Sequence, residues 1–244
     1  MAIEKGDFVQ IEFTGKVEET GEIFDTTSQD IAEEANIFND KKVYGPITII
    51  VGANHLLPAI EEAIIGLDVG DSKNLTLGPE DAFGERDPSL IQLFPVKDFK
   101  KQGMTPVPGM IISAEGQQGK VLTVNGGRVK VDFNNALAGK TLNYDISISD
   151  IVENETDKVK NMVKFHYGGQ NIDYDKTEVE FDDDIIRIKL DEITKFDQRS
   201  FMDITFERHR IAKDLYDNLP YEKVQFVDEF QDKKVEETEE NNED

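Results

Sequence analysis

From Asp7 to Val17 the chain alternates, with Phe8, Gln10 and Glu12 set against Val9, Ile11 and Phe13, a period that sends the two sets to opposite faces of a strand. The turn Glu19-Thr20-Gly21-Glu22 and the run Ile23-Phe24-Asp25-Thr26-Thr27 complete a hairpin. Ile47 to Val51 reads as a buried strand that Gly52-Ala53-Asn54 breaks. Beyond it Leu56, Leu57, Ile60, Ala63 and Ile64 recur at helical spacing, with Gly66 where a C-terminal cap belongs. Asp71 to Leu77 is a further strand, and Gly78 to Gly84 a tight loop. From Arg86 to Val131 glycine and proline crowd together and short strands alternate at Ile111–Glu115, Gly119–Val124 and Arg128–Val131, which predicts a small all-β unit. Residues 132–152 return to the earlier style and end in a strand from Leu142 to Ile148. The β unit is therefore an insertion into the first domain.

After Asp157 a helix carrying Val159, Met162, Val163 and His166 leads to Gly168-Gly169. Strands at Glu178–Phe181 and Ile185–Ile193 follow, hinged by Asp182-Asp183-Asp184, then a helix over Phe201–Leu219 and a last strand over Tyr221–Phe230. The fold class is α+β. The spacing predicts four regions: a first domain at 1–85 plus 132–153, the insertion at 86–131, a C-terminal α+β domain at 157–230, and a disordered, acidic tail at 231–244.

The 244 residues fit two or three such units better than one. Lys and Arg number 27 against 51 Asp and Glu, a net charge of −24, which makes nucleic acid a repulsive partner. No apolar run approaches the roughly 20 residues that span a bilayer, so no membrane partner is expected. Met1 to Asp7 lacks the basic and apolar regions of a signal peptide, and a soluble cytoplasmic protein is the expectation. The absence of cysteine removes disulfides, thiolate nucleophiles and Cys-based zinc sites.

No metal or nucleophile constellation emerges from spacing. His55, His166 and His209 fall in three separate segments without a second ligand at chelating distance, and each reads as a surface or boundary residue. No serine has a nucleophile context, and Gly126-Gly127 is a hairpin signal rather than a phosphate cradle. Composition and spacing alone leave a multi-domain binding protein of unknown ligand, with no cofactor and no metal expected.

The blocks Gly6-Asp7-Phe8-Val9-Gln10-Ile11-Glu12-Phe13-Thr14-Gly15, Gly21-Glu22-Ile23-Phe24-Asp25-Thr26-Thr27, Leu57-Pro58-Ala59-Ile60-Glu61-Glu62-Ala63 and Pro79-Glu80-Asp81-Ala82-Phe83-Gly84 carry a further signal. In order and spacing they resemble the FKBP family of peptidyl-prolyl isomerases. The insertion after Phe83-Gly84 and the return through Asn134 to Lys140 resemble the SlyD branch, in which an insert-in-flap chaperone domain replaces a loop. The extra C-terminal domain is similar to that of long-chain archaeal FKBPs. The resemblance implies an FKBP-like curved antiparallel sheet with a short helix and peptidyl-prolyl cis-trans isomerase activity. By matching position it implies Asp25, Phe83 and Tyr144 as catalytic residues, and Phe13, Phe24, Ile47, Leu56, Leu57, Ile60 and Leu137 as substrate-binding ones. Read singly, the apolar positions are core residues; Asp25, a carboxylate between Phe24 and a Thr pair, is harder to explain as core and is either a turn residue or a polar group at an apolar cleft, the second being what the resemblance implies.

The sequence departs from the family at Ile60, commonly Trp, and at Phe13 and Phe83, commonly Tyr, which bears on macrolide affinity. The tail has no His or Cys, so nickel binding does not carry over. The insertion would hold unfolded chains through Ile91, Leu93, Phe94, Val96, Phe99, Met104, Val107, Met110 and Ile112, about half of which should fill the insertion's own core. The implied partners are unfolded or nascent polypeptides and proline-containing peptides, with a homodimer through the C-terminal domain as a further expectation. The alternative is a non-catalytic holdase or assembly adaptor on the same scaffold.

Overall fold

The computed structural model describes residues 2–114, 116–169 and 171–230; the acidic tail predicted at 231–244 lies outside them. Two compact units form. One holds residues up to 15, 23–75 and from 144 onward, and the other holds 16–22 and 76–143.

Strand β1 (Phe8–Val17) pairs antiparallel with β3 (Ile47–Ile50), Phe8 opposite Ile50 and Ile11 opposite Ile47; between them lie β2 (Ile23–Thr26) and helix α1 (Gln29–Glu34). The alternation of β1 is sound but its exposure is not one-sided. Val9 and Ile11 are buried on one face, and Phe8 on the other is equally buried. Helix α1 escapes the apolar pattern because only Ala32 is buried; its signal is Ser28, whose hydroxyl accepts the Ile31 N–H as an N-cap. Helix α2 (Pro58–Ile64) opens with Pro58 in its first turn and buries Ile60 and Ile64 one turn apart. It starts later than the apolar spacing predicts, because residues 52–57 are held as a loop. Strand β4 is Ser72–Leu77.

In the second unit, β5 (Ile91–Pro95) leads into helix α3 (Val96–Lys101), followed by β6 (Ile111–Ala114), β7 (Gln117–Asn125) and β8 (Arg128–Asp132). The sheet runs β5-β8-β7-β6 with antiparallel neighbours. Gly126 and Gly127 both have positive φ, +56° and +75°, between the paired residues Asn125 and Arg128. That is the two-residue hairpin turn whose twist suits the flanking strands. The expectation of an all-β unit needs correction at α3. Pro95 precedes it, Asp98 sits in the first turn and Lys100 and Lys101 in the last, an arrangement that favours a helix where Phe99 can reach the core. The core is Phe99, Ile112, Val121, Val129 and Val131. The entry to the insertion is tied to the segment that follows it: the Asp87 N–H donates to Asn134 Oδ1 at 2.8 Å, and Asn134 Nδ2 returns a bond to Asp87 O at 2.9 Å.

Strand β9 (Leu142–Ile151) brings the chain back, and in the first unit the sheet order is β2-β1-β9-β4 with β3 on β1. Helix α4 (Glu155–Tyr167) is capped by the Asn154 side chain. Then come β10 (Glu178–Asp182), β11 (Ile185–Lys189), α5 (Phe201–Asn218) and β12 (Lys223–Phe226); β11 pairs antiparallel with β10 and parallel with β12. A 3-10 turn at Glu192–Phe196 ends the regular structure after β11 sooner than predicted. Helix α4 packs on β3 and α5, and one cluster joins Phe8 and Ile50 to Val159, Met162, Val163, Ile211 and Leu215. This covering explains why both faces of β1 are buried at its start. On α5, Ile211 and Leu215 are fully buried, while Phe201, at the head of the predicted stripe, is 80% exposed.

Candidate active site

Phe24 to Thr27 is pinned to β1 by hydroxyl chemistry. Phe13 N–H donates to Thr27 Oγ1 at 3.0 Å, and the Thr14 and Thr26 hydroxyls bond each other at 2.9 Å. Asp25 Oδ1 accepts its neighbour's N–H from Thr26 at 2.9 Å and the Lys42 ammonium at 2.5 Å. The same ammonium donates to Thr26 O at 2.9 Å. Asp25 is thus a fixed, half-buried carboxylate, and Lys42 is a partner that its place in Asp40-Lys41-Lys42 did not betray.

Tyr144 packs edge-on against Phe24, with ring centroids 5.6 Å apart, and is tilted against Phe13 at 6.1 Å. Gly15 permits this arrangement: a Cβ there would meet the Phe24 ring at 2.5 Å, well inside contact distance. Burial pushes the Tyr144 phenol up to about 12, with the charge of Asp25 adding to the rise. The hydroxyl therefore stays protonated and able to donate.

A cavity of about 290 Å³ opens beside Asp25, and Phe13, Ile47 and Leu56 share its lining with Val43, Tyr44 and Pro46. Leu56 is held in place by a residue that the sequence motifs did not single out, Glu61. This buried carboxylate accepts the N–H groups of Gly52 (2.8 Å), Asn54 (3.2 Å) and Leu56 (2.9 Å), which fixes the loop before α2. Its only signal in the sequence is an acid between the buried positions Ile60 and Ile64.

Four of the residues assigned from sequence, Phe13, Asp25, Ile47 and Leu56, converge on this one cavity. Phe24 and Tyr144 stand behind it as an edge-on pair, while Ile60 is buried in α2 and Leu57 is the half-buried residue that caps the same helix. Phe83 and Leu137 belong to the second unit, where Phe83 is 37% exposed and Leu137 half-buried. Among the insertion residues Phe99 and Ile112 are core, and Ile91, Phe94, Val96, Met104 and Met110 are half-buried. Leu93 and Val107 are exposed, and so is Ile111, which the pattern did not single out.

The histidines depart furthest from their spacing. His55 Nε2 lies 2.7 Å from Asp214 Oδ2 and His166 Nε2 lies 2.5 Å from the same oxygen, all three side chains largely buried; His209 is exposed. Burial opposes ionisation of Asp214, but the bonds from His166 and His55 outweigh it and hold the carboxyl well below the usual range. The donor atoms lie within 4.8 Å of one another, close enough for a metal. Hydrogen bonding decides otherwise: Ile50 N–H donates to His55 Nδ1 at 3.2 Å, so His55 carries its proton on Nε2 and turns an N–H, not a lone pair, toward Asp214.

Relatives sharpen the reading. A family model described as "FKBP26, IF domain" matches residues 92–137, and one described as "FKBP26_C-terminal" matches residues 155–231. The short-type peptidyl-prolyl cis-trans isomerase of Methanocaldococcus jannaschii is 37% identical over 155 residues, 64% of this chain and 98% of that protein. The chain belongs to the FKBP-type peptidyl-prolyl cis-trans isomerases. A probable FKBP-type 16 kDa isomerase of Pseudomonas fluorescens is 37% identical over 111 residues, 43% of this chain and 73% of its own length. The SlyD isomerase of Escherichia coli K12 is 30% identical over 125 residues, 50% of this chain and 63% of its own. As an FKBP-type chain it has the family's α+β fold, and no described helix is long and apolar enough to cross a membrane.

Proposed function

We propose that this FKBP-type chain isomerises X–Pro bonds in unfolded and partly folded polypeptides, in the cytoplasm, and that its insertion holds those chains while the bond turns. The observation that carries the reading is the convergence of Phe13, Asp25, Ile47 and Leu56 on one cavity beside Tyr144. Rotation about a peptide bond meets a barrier of about 18–20 kcal/mol because resonance keeps the C–N bond planar. The planar amide is charge-separated and prefers water, whereas the twisted amide has lost that resonance. A largely apolar cavity therefore binds the twisted form better, which is catalysis by differential binding without acid, base or nucleophile. Asp25, fixed by Lys42, orients the pocket. Tyr144 supplies a protonated phenol, and Phe24, Leu57 and Ile60 complete the apolar surroundings; Phe83 and Leu137 are assigned by their motif positions alone.

The domain plan that fits this role is an isomerase domain at 1–85 plus 132–153, a holding domain at 86–131 and a C-terminal domain at 157–230. Exposed Leu93, Val107 and Ile111 would give the holding surface, and tethering it to the cavity raises the effective concentration of prolyl bonds. Phe201, Met202 and Phe206, exposed on α5, would serve self-association, which light scattering of the full chain tests; a monomer rejects it.

The isomerase reading is tested with tetrapeptides and with a proline-limited refolding protein. Asp25→Ala and Phe83→Ala should slow both reactions, and unchanged rates in both variants would reject the site. Replacing 86–131 by a short loop should spare the tetrapeptide rate and depress refolding; equal loss on both would reject the division of labour.

A further inference from the structure

The cavity beside Asp25 has a wall that the isomerase segment does not supply. Asn161, Lys164 and Phe165, all on α4, line it together with Phe13 and Leu56. Two of these three have a chemistry that can read a substrate. Phe165 offers an aromatic face. Lys164 offers an ammonium that makes no ion pair among the described residues, although Asp150, Asp157, Asp173 and Asp175 line the neighbouring cavity that Lys164 also borders.

This wall is fastened from behind. The Phe165 ring stacks on His55, 4.7 Å between centroids at 24°, and meets His166 edge-on at 4.9 Å. His55 is held at Nδ1 by Ile50 N–H and at Nε2 by Asp214, and it immediately precedes Leu56, which lines the cavity. Asp214, on α5, thereby ties α4 to the loop that carries His55 and Leu56, using a single carboxylate oxygen for both rings.

We infer that Lys164 and Phe165 are specificity-determining residues that read the side chain flanking the prolyl bond, and that Asp214 is the positioning residue that holds them against the cavity. The inference rests on the isomerase reading of that cavity. The expected preference is for an acidic flanking residue over a basic one, met by Lys164, and for an aromatic one over alanine, met by Phe165. The first preference is diagnostic because the net charge of −24 acts over long range in the opposite sense, drawing basic peptides in.

The test uses the full chain and tetrapeptides that differ only at the residue before proline: Glu, Lys, Phe or Ala. At low salt, Lys164→Gln should lower the Glu-to-Lys ratio of kcat/KM about three- to fivefold, the scale of an exposed ion pair. At about 1 M ionic strength the wild type and Lys164→Gln should give the same ratio, since screening then acts within a few ångströms. Phe165→Ala should lower the Phe-to-Ala ratio about five- to tenfold, the scale of taking one apolar ring face away from a bound side chain. Asp214→Ala should lower both ratios, and Asp214→Asn, which keeps an oxygen to accept two N–H groups, should restore them.

Ratios equal to wild type in Lys164→Gln and Phe165→Ala, with the wild type active, would overturn the inference and leave the isomerase reading standing. A shift in Tm without a shift in ratio in Asp214→Ala would reduce Asp214 to a structural residue and overturn its positioning role. If Phe165→Ala does not fold, Phe165→Leu keeps the apolar bulk without the ring, and an unchanged Phe-to-Ala ratio there overturns the assignment equally. A wild type that accelerates none of the peptides overturns the isomerase reading and this inference with it.

Discussion

The core of the insertion and the core behind the cavity are built on opposite principles. The insertion buries Phe99, Ile112, Val121, Val129 and Val131, residues joined by short turns within one stretch of chain. The other core joins Phe8 and Ile50 to Met162, Ile188, Ile211 and Leu215, so it closes only when the two ends of the described chain meet. Local cores form from residues near in sequence, whereas non-local ones must first overcome loop closure. The difference extends to the proposed roles. The local unit leaves Leu93, Val107 and Ile111 exposed, the surface proposed for holding, while the non-local core fixes the wall of a cavity.

The largest expected effect separates the two cores. Phe8→Ala should cost about 3–5 kcal/mol by emptying a packed site, and hydrogen exchange should speed up in α4 and α5 as well as in β1. Phe99→Ala should release exchange only within the insertion; faster exchange in α4 as well would refute the independence of the two cores. Next in size, Gly15→Ala forces a methyl into the Phe24 ring and should cost about 1–3 kcal/mol, with a fall in tetrapeptide activity. Denaturant titration beside the rate assay checks both.

A smaller effect is carried by pH. Because the Tyr144 pKa is raised to about 12 in the folded chain, from a usual value near 10, the protonated phenol is favoured by folding. Its contribution to stability is complete below about pH 10 and is lost as pH rises toward 12. Tyr144→Phe should remove that alkaline slope. Asp214 has the opposite sign. Its depressed pKa gives stability that is present above the ordinary carboxylate range and lost as pH falls below it, and Asp214→Asn should flatten the acid limb. The smallest change in stability belongs to the proposed holding surface: Leu93→Ser with Val107→Ser should shift it by about 0.5 kcal/mol or less per site, while suppression of aggregation by the full chain declines.

The hairpins of the insertion were legible because glycine pairs and short strands are local signals, and Gly126-Gly127 makes the turn its sequence announces. Helix α3 was missed because its six residues bury only Phe99 and give too little periodicity. In the site, Phe13, Asp25, Ile47 and Leu56 were named from sequence by matching motifs, since a carboxylate at an apolar edge has no periodic signature. Lys42 and Glu61 were not named, because each acts through bonds to backbone or side chains that spacing does not reveal.

By itself the sequence determined the family, the strands of the five-stranded sheet, three of the four strands of the second sheet, with β5 missed, and the strongly negative charge. The family is read from the resemblance of its motif blocks, and the rest from periods, turns and counts along the chain. Tertiary structure alone decided that His55, His166 and Asp214 share one oxygen and that Lys164 and Phe165 face the cavity. The reason is that helices α4 and α5 and the loop before α2 are brought together by burying Phe8 and Ile50 against Met162 and Ile211, a non-local packing that no local pattern encodes.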